Sequence, residues 1–258
     1  MRKENVIDKR VLESVLLDQQ EELEAKRAQR LCSRLEEGLI DLHSTQAQVV
    51  IGVRRSGKST LCFLALEHAH VKYAYVDFND ERMRGVSSEQ LNDILEILYK
   101  IYGDFNYLFL DEVQDVEGWH LFVNRLLRKN IHIVVTGSNA KLLSSELSTY
   151  LFGRSKEIYL YPFSFEEYCG MMQVDFQSNT TKSIGLRRAA FDKYIQQGGF
   201  PELLHIADKR SYVHDLTNNI LYRDIENRYK ISYKAAFEQM THHLLNTVPC
   251  QVVTTELS

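Results

Sequence analysis

The segment Gly52-Val53-Arg54-Arg55-Ser56-Gly57-Lys58-Ser59 has the spacing of a phosphate-binding loop, the P-loop or Walker A pattern. Its glycines allow the backbone to wrap around a phosphate, and the N–H groups that begin the next helix supply positive potential. We expect Lys58 to reach the β- and γ-phosphates and the Ser59 hydroxyl to bind Mg²⁺. The predicted nucleotide contacts are Gly52, Val53, Arg54, Arg55, Ser56, Gly57, Lys58, Ser59 and Thr60.

The context of this loop decides between two interpretations. A glycine turn that only caps a helix is the alternative to a phosphate site. Residues 48–51 form an apolar strand pattern before the loop, and residues 58–70 have helical periodicity after it. A strand before and a helix after are what the phosphate-binding motif requires, so phosphate binding is favoured.

Two adjacent carboxylates, Asp111 and Glu112, follow the apolar run Tyr107-Leu108-Phe109-Leu110. Unpaired carboxylates are costly at the end of a buried strand unless a cation or another partner meets them. We predict that Asp111 binds Mg²⁺ through water and that Glu112 polarises the water that attacks the nucleotide. Taken alone, the pair could equally be a strand that runs into a solvated turn. Together with the loop it indicates nucleotide hydrolysis.

The chain lacks the Asn-Lys-x-Asp pattern with which G-proteins read guanine, so ATP is the predicted nucleotide. A kinase for a small acceptor is a less favoured alternative, because it would need a mobile basic lid. Arg82 and Arg84, after the second predicted strand, are the candidates for such a lid.

Two further positions are predicted to act on the γ-phosphate. The fourth predicted strand ends in Thr136-Gly137-Ser138-Asn139, and we favour Ser138, then Asn139, as the residue that senses phosphate or water. The alternative is an N-cap for a following helix. Arg154 follows Gly153 before the fifth strand and is predicted to stabilise transition-state charge, in its own subunit or a neighbour's. A structural salt bridge is the equal alternative.

Short apolar strands alternate with helical segments through the middle of the chain. The strands are predicted at 48–51, 73–78, 107–110, 131–136 and 157–160, and the helices at 58–70, 87–102 and 119–129. Ser87 and Gln90 are predicted to form a capping box. This alternation is typical of βαβ units, and predicts a P-loop domain of residues 45–161 with a mostly parallel sheet. Its ligands should bind at the carboxyl ends of the strands.

The flanking regions are predicted to be helical. Residues 1–44 form an N-terminal segment, with one or two surface helices in 11–40. These helices are expected to pack on the next domain; a coiled-coil partner site is less favoured because sustained heptads are absent. After residue 161 the alternation stops, and residues 162–258 are predicted to be mainly helical.

Composition and charge exclude several classes. Hydrophobic residues make up 44% and charged residues 26%, which excludes intrinsic disorder. The net charge of −4 gives no reason for constitutive binding to nucleic acid or anionic membranes. The longest apolar run, residues 61–66, is far shorter than the ~18 residues that span a bilayer. Four scattered cysteines argue against a zinc site or a disulfide scaffold and favour a cytoplasmic protein: Cys32, Cys62, Cys169 and Cys250.

The ordered series of motifs resembles a family, the AAA+-like P-loop ATPases of the AAA_14 type with a C-terminal DUF4143 domain. The resemblance covers residues 45–235. Besides the loop and the carboxylate strand with Trp119, the matching elements are Val76-Asp77-Phe78-Asn79-Asp80-Glu81-Arg82, Thr136-Gly137-Ser138, Gly153-Arg154, Pro162-Phe163-Ser164-Phe165-Glu166-Glu167-Tyr168, Gly198-Gly199-Phe200-Pro201-Glu202 and Tyr222-Arg223-Asp224-Ile225.

The resemblance implies a P-loop α/β domain followed by helical and winged-helix-like parts. Family members run well past Leu257-Ser258, so the final domain is expected to be incomplete here. The implied function is Mg²⁺-dependent ATP hydrolysis that drives a conformational change in the helical C-terminal region, with a protein partner or a homo-oligomer and no membrane. The alternative is a nucleotide-occupancy switch or DNA-associated regulatory module with little hydrolysis. Arg187-Arg188 and Lys209-Arg210 could contact DNA, although such pairs usually form a solvated face.

Overall fold

A computed structural model of the chain describes residues 6–138, 151, 153–226 and 231–247. Asn139 lies outside the described residues. The chain divides into two compact units, Met1–Ala207 and Asp208–Ser258. The α/β alternation ends earlier, at the fifth strand, so the predicted boundary after residue 161 marks a change of architecture inside the first unit.

A parallel sheet forms the centre of the first unit. Its strands are β1 (Ala47–Gly52), β2 (Tyr73–Asp77), β3 (Tyr107–Asp111), β4 (His132–Ser138) and β5 (Ser155–Leu160). Their spatial order is β2-β3-β4-β1-β5, and every described pair is parallel. All five carboxyl ends therefore lie at one edge of the sheet, as the predicted P-loop fold requires.

Both faces of the sheet are covered by helices. The first unit contains α1 (Lys9–Arg27), α2 (Lys58–His68), α3 (Gln90–Tyr102) and α4 (Trp119–Leu127). One apolar cluster joins α1, α3 and α4 to one face of the sheet, and a second joins α2 to the other face. Because both faces are buried, the strands are almost continuously apolar rather than alternating.

The N-terminal helix α1 is an integral part of this core. Asp8 caps it by accepting a hydrogen bond from the backbone N–H of Arg10. Leu12, Val15 and Leu16 are fully buried in the cluster that contains α3. The interpretation of a helix packed on the following domain is therefore confirmed. The two reciprocal hydrogen bonds predicted between Ser87 and Gln90 are also present, both at 3.4 Å, although α3 begins only at Gln90.

The chain after β5 is mainly helical in its described residues, as predicted. The first unit continues with α5 (Phe165–Met171) and α6 (Thr181–Gln197). The second unit contains α7 (Lys209–Asn219), a π-helical turn (Ile220–Glu226) and α8 (Lys234–Asn246). Among the described helices, none combines the length and the apolar character needed to cross a membrane. The winged-helix-like part stays a prediction.

Candidate functional site

The phosphate-binding loop connects β1 to α2, and it begins where two strands approach closely. A Cβ atom on Gly52 would lie 2.2 Å from the backbone oxygen of Leu160 on β5, so only glycine fits there. Gly57, which precedes the helix, has a φ of 99° that favours glycine. The loop then folds around the buried Lys58, whose Nζ donates a hydrogen bond to the backbone oxygen of Val53 at 3.2 Å.

Asp111 is buried at the end of β3, and three hydroxyl groups surround it. Ser59 and Thr136 form hydrogen bonds with its carboxylate, and the Tyr75 hydroxyl donates to its Oδ2 at 3.4 Å. Burial raises the pKa of Asp111, and the hydrogen bonds from Ser59 and Thr136 only partly oppose this increase. The structure thus brings together the two residues predicted to hold Mg²⁺, Ser59 and Asp111. Their hard oxygen donors fit a magnesium ion.

A second carboxylate, Asp77, stands at the end of β2 and pairs in register with Asp111. Burial, and then the charge of Asp111, raise the pKa of Asp77 to about 7. The side-chain amide of Gln19 in α1 holds this strand end. It donates to the backbone oxygen of Asp77 at 2.9 Å and accepts from the backbone N–H of Asp77 at 3.0 Å. The buried carboxylate of Asp111 and the half-buried carboxylate of Asp77 repel each other, and a divalent cation at this edge would relieve that repulsion.

Glu112, the predicted water-polarising residue, lies beside the loop. Its Oε1 is 3.5 Å from Lys58 Nζ, and its Oε2 accepts a hydrogen bond of 2.6 Å from Gln114 Nε2. Its backbone is left-handed, with φ 52° and ψ 36°. The backbone N–H of Glu112 donates to Thr136 Oγ1 at 3.1 Å, so Thr136 contacts both adjacent acidic residues.

At the end of β4, Thr136 contacts the carboxylate of Asp111, whereas the sequence favoured Ser138 as the residue that acts at the site. Ser138 is buried in register with Gly52, and its Oγ has no hydrogen-bond partner among the described residues. It therefore lies at the carboxyl edge, next to the start of the loop. Thr136, however, is the β4 residue that contacts Asp111. The sequence shows that both residues end a strand, but only the register between β3 and β4, with Leu110 opposite Val135, shows that Thr136 meets the carboxylate.

Arg154 lies at the opposite edge of the sheet from the loop of its own chain, which does not fit action in its own subunit, and action in a neighbouring subunit stays a prediction. Its backbone oxygen accepts a hydrogen bond from the N–H of Ala47, and the next residue, Ser155, pairs with Ala47 at the start of β1. The loop begins at the other end of that strand, about 20 Å away at ~3.3 Å per residue. Arg154 precedes its strand, and in a parallel sheet the residues that precede strands lie at the amino-terminal edge.

A cavity of about 230 Å³ opens beside the loop, where Gly57 and Thr60 begin α2. Its walls come from residues 29–34 before β1 and from residues 163–205 after β5. At its border, Arg55 of the loop forms an exposed ion pair of 2.9 Å with Glu202. Its lining residues include Leu31, Cys32, Phe163, Met171, Pro201 and His205. The mixed apolar and polar lining could enclose a flat heterocycle attached to the phosphates.

Comparison with known proteins agrees with this geometry. Residues 44–169 match the family model of the AAA domain. This segment has the AAA-type P-loop fold. The matched segment contains the loop, the acidic pair and all five strands. The match ends at residue 169, and the expected DUF4143 domain beyond it stays a prediction.

Two relatives share sequence with the chain. It is 32% identical over 255 residues to the uncharacterized protein MJ1544 of Methanocaldococcus jannaschii, an alignment that covers 95% of this chain and 56% of that protein. It is 34% identical over 192 residues to an uncharacterized protein of Haemophilus influenzae, with coverage of 70% and 46%. The chain therefore spans about half the length of these curated relatives.

Two solved structures are distantly similar. The Walker-type ATPase PABY2304 of Pyrococcus abyssi has a TM-score of 0.48 at 16% identity, covering 91% of this chain and 79% of that one. AMPPCP-bound DnaA from Aquifex aeolicus has a TM-score of 0.40 at 16% identity, with coverage of 84% and 68%. The fold assignment itself rests on the strand order and on the family match.

One residue that sequence analysis missed, Arg34, precedes the matched segment and contacts the phosphate loop. Its buried guanidinium donates to the backbone oxygen of Ser56 at 3.1 Å and to Glu167 Oε1 at 2.5 Å. It also donates to the backbone oxygen of Tyr161 at 2.8 Å and lies 4.8 Å from the ring centre of Phe163. Arg34 thereby connects the phosphate loop to α5. No local pattern around Arg34 distinguishes it from a surface arginine.

Proposed function

We propose that this chain binds ATP with Mg²⁺ and hydrolyses it. The observation that carries the proposal is the convergence of Lys58, Ser59, Asp111 and Glu112 at one edge of the sheet. A loop lysine, a hydroxyl, a buried carboxylate and a second carboxylate beside them are the groups that phosphoryl transfer from a nucleotide requires.

Each of these residues has a separate proposed role that follows from its position. Lys58, now 3.5 Å from Glu112, would turn toward the β- and γ-phosphates and neutralise their charge. Ser59 and Asp111 would hold Mg²⁺, which when bound neutralises charge that develops on the transferring phosphoryl group. Glu112 would accept a proton from the attacking water. The base of the nucleotide would enter the cavity beside Thr60. Adenine is favoured because the chain lacks a guanine-reading Asn-Lys-x-Asp.

Nucleotide binding would reach the helices after the sheet through Arg34. This side chain joins Ser56 in the loop to Glu167 in the first turn of α5. Glu167 also forms a capping box with Ser164 at the start of that helix. A displacement of the loop backbone by phosphate would therefore act directly on the helix. This connection supports a conformational change in the helical region as the output of the ATPase cycle.

Glu112→Gln tests the proposal, because an amide keeps the shape of the side chain and cannot accept the proton. We expect Mg-ATP affinity in calorimetry to be retained and phosphate release to fall by at least about 100-fold. Glu117→Gln, an exposed carboxylate near the same strand end, is the matched control and should have wild-type turnover. Wild-type phosphate release by Glu112→Gln would contradict the proposed role, and tighter binding of GTP than ATP would contradict the choice of nucleotide.

A nucleotide-occupancy switch with little hydrolysis is the second candidate, favoured by one observation. Both carboxylate oxygens of Glu112 have partners, Lys58 and Gln114, instead of facing an open site. Turnover measured with and without DNA, and with candidate protein partners, separates the two functions. Partners can be captured with Glu112→Gln protein in ATP, since blocked hydrolysis should preserve the partner-bound state. Stimulated hydrolysis supports the ATPase, and ATP binding without turnover supports the switch.

A further inference from the structure

Gln114 lies next to Glu112, and the mechanism proposed above gives it no role in hydrolysis. It belongs to the 3-10 turn Val113–Asp115, which follows β3 immediately after Glu112. Glu112 adopts a left-handed backbone, a conformation that a residue with a side chain rarely adopts unless its surroundings hold it. The hydrogen bond from its N–H to Thr136 supplies part of that support. The turn therefore brings the side chains of Glu112 and Gln114 face to face.

The orientation of the Gln114 amide follows from the chemistry of its neighbour. An ionised carboxylate can only accept hydrogen bonds, so the NH₂ end of the amide must face Glu112. The observed distance from Gln114 Nε2 to Glu112 Oε2 is 2.6 Å. The other end, Gln114 Oε1, is buried and has no hydrogen-bond partner among the described residues. Buried acceptors in folded proteins are almost always satisfied, by protein or by an ordered water.

The spacing suits one water molecule. The nitrogen and oxygen of a primary amide are about 2.3 Å apart, given the C=O and C–N bond lengths. Gln114 Oε1 therefore lies within about 5 Å of Glu112 Oε2, a separation that a single water can bridge with two ordinary hydrogen bonds. This water would donate one hydrogen bond to each of the two acceptors. The lone pairs of its oxygen would then point away from both.

We propose that Gln114 is a second water-positioning residue for ATP hydrolysis, an inference that rests on the proposed function. One hydrogen of the attacking water points to Glu112 and the other to Gln114 Oε1. As the water oxygen bonds to the γ-phosphorus, the bond from that phosphorus to the bridging oxygen breaks, and its electron pair leaves with ADP. The proton passes to Glu112 and then to the released phosphate. Gln114 takes no proton and only orients the water.

Gln114→Met tests this role, because methionine has a similar length and offers neither the donor nor a comparable acceptor. We expect kcat to fall by about 10- to 100-fold, while the Kd for Mg-ATP changes less than about twofold. Gln177→Met, at an exposed position after α5, is the matched control and should leave both constants unchanged. Loss of affinity in parallel with kcat, or wild-type kcat, would overturn the inference.

A double variant separates positioning of the water from a structural effect. In the Glu112→Gln background, Gln114→Met should cause little further loss, since the two residues act on the same water. A further loss as large as in the wild-type background would overturn the shared role. If Gln114→Met lowers the unfolding midpoint, Gln114→Asn replaces it. Asparagine keeps the amide but withdraws it from the water, and wild-type kcat for this variant would also overturn the inference.

The two proposals fail in different ways. If Glu112→Gln retains turnover, the proposed ATPase mechanism fails, whatever the result for Gln114. If Glu112→Gln loses turnover and Gln114→Met does not, only the role of Gln114 fails.

Discussion

The hydroxyl of Thr136 donates a hydrogen bond to the carboxylate of Asp111, one strand away. The same oxygen accepts the backbone N–H of Glu112. Since Thr136 has one hydroxyl and uses it as donor and acceptor at once, it fixes both acidic residues relative to β4. A single side chain on a neighbouring strand thus orients the residue predicted to bind the metal and the residue predicted to polarise water.

Thr136→Val keeps the branched shape and removes this hydroxyl. We expect turnover at subsaturating Mg²⁺ to fall by about tenfold, the equivalent of one lost hydrogen bond of ~1.4 kcal/mol. Thr45→Val, at an exposed position, is the control. A magnesium titration of phosphate release that is identical for both variants would show that Thr136 does not support the site.

Lys58→Ala should weaken Mg-ATP binding by at least about tenfold, because a charged hydrogen bond to phosphate contributes ~1.5–3 kcal/mol. The variant also loses the contact between Lys58 and Val53 inside the loop. Far-UV circular dichroism should nevertheless remain that of the folded protein. The exposed Lys129→Ala serves as the control in calorimetry. Equal ATP affinity in both variants would exclude the loop as the phosphate site.

The raised pKa of Asp77 predicts how stability depends on pH without Mg²⁺ and nucleotide. Its folded pKa of about 7 is above its ordinary value of 3.8, so the folded state binds the proton more tightly than the unfolded state. The stabilisation that comes from this tighter proton binding is complete below pH 3.8 and is lost as the pH rises through about 7. Urea unfolding should therefore give a higher free energy at pH 5 than at pH 8. Asp77→Asn should reduce this difference and the exposed Asp104→Asn should not; equal differences in both variants would refute the assignment.

Arg34→Met should destabilise the protein by about 3–5 kcal/mol at pH 7, because it leaves Glu167 buried without its cation. Burial alone would raise the pKa of Glu167, but the hydrogen bonds from Arg34 and Ser164 hold it below its ordinary 4.5. The stability that comes from the Arg34–Glu167 pair is thus present above pH 4.5. It is lost as the pH falls through the lower pKa that Glu167 has in the folded state. The exposed Arg10→Met should change the unfolding free energy by less than ~0.5 kcal/mol at pH 7. A loss for Arg34→Met no larger than for this control would argue against the ion pair.

Arg154 can act on a nucleotide only in a neighbouring subunit, since it lies at the sheet edge opposite its own loop. If it does so, Arg154→Ala should lower turnover by about 10³-fold or more with little change in ATP affinity. Mixing Arg154→Ala with Lys58→Ala protein should then restore part of the turnover, because some interfaces pair an intact loop with an intact arginine. Demonstrated co-assembly without recovery would exclude this action, and normal turnover of Arg154→Ala alone would leave a structural role.

The phosphate loop, the acidic pair and the alternation of strands and helices could be predicted from the sequence, because these features depend on local spacing and periodicity. The five predicted strands and three central helices agree with the structure to within a few residues. The neighbours of each strand depend on tertiary packing, and that packing alone placed Asp77 and Thr136 beside Asp111. It also placed Arg154 at the far edge and Arg34 beneath the loop. These contacts join residues that are distant in the chain. The parallel strands assemble in an order that differs from their order in the sequence, so no local pattern predicts which polar side chains will meet.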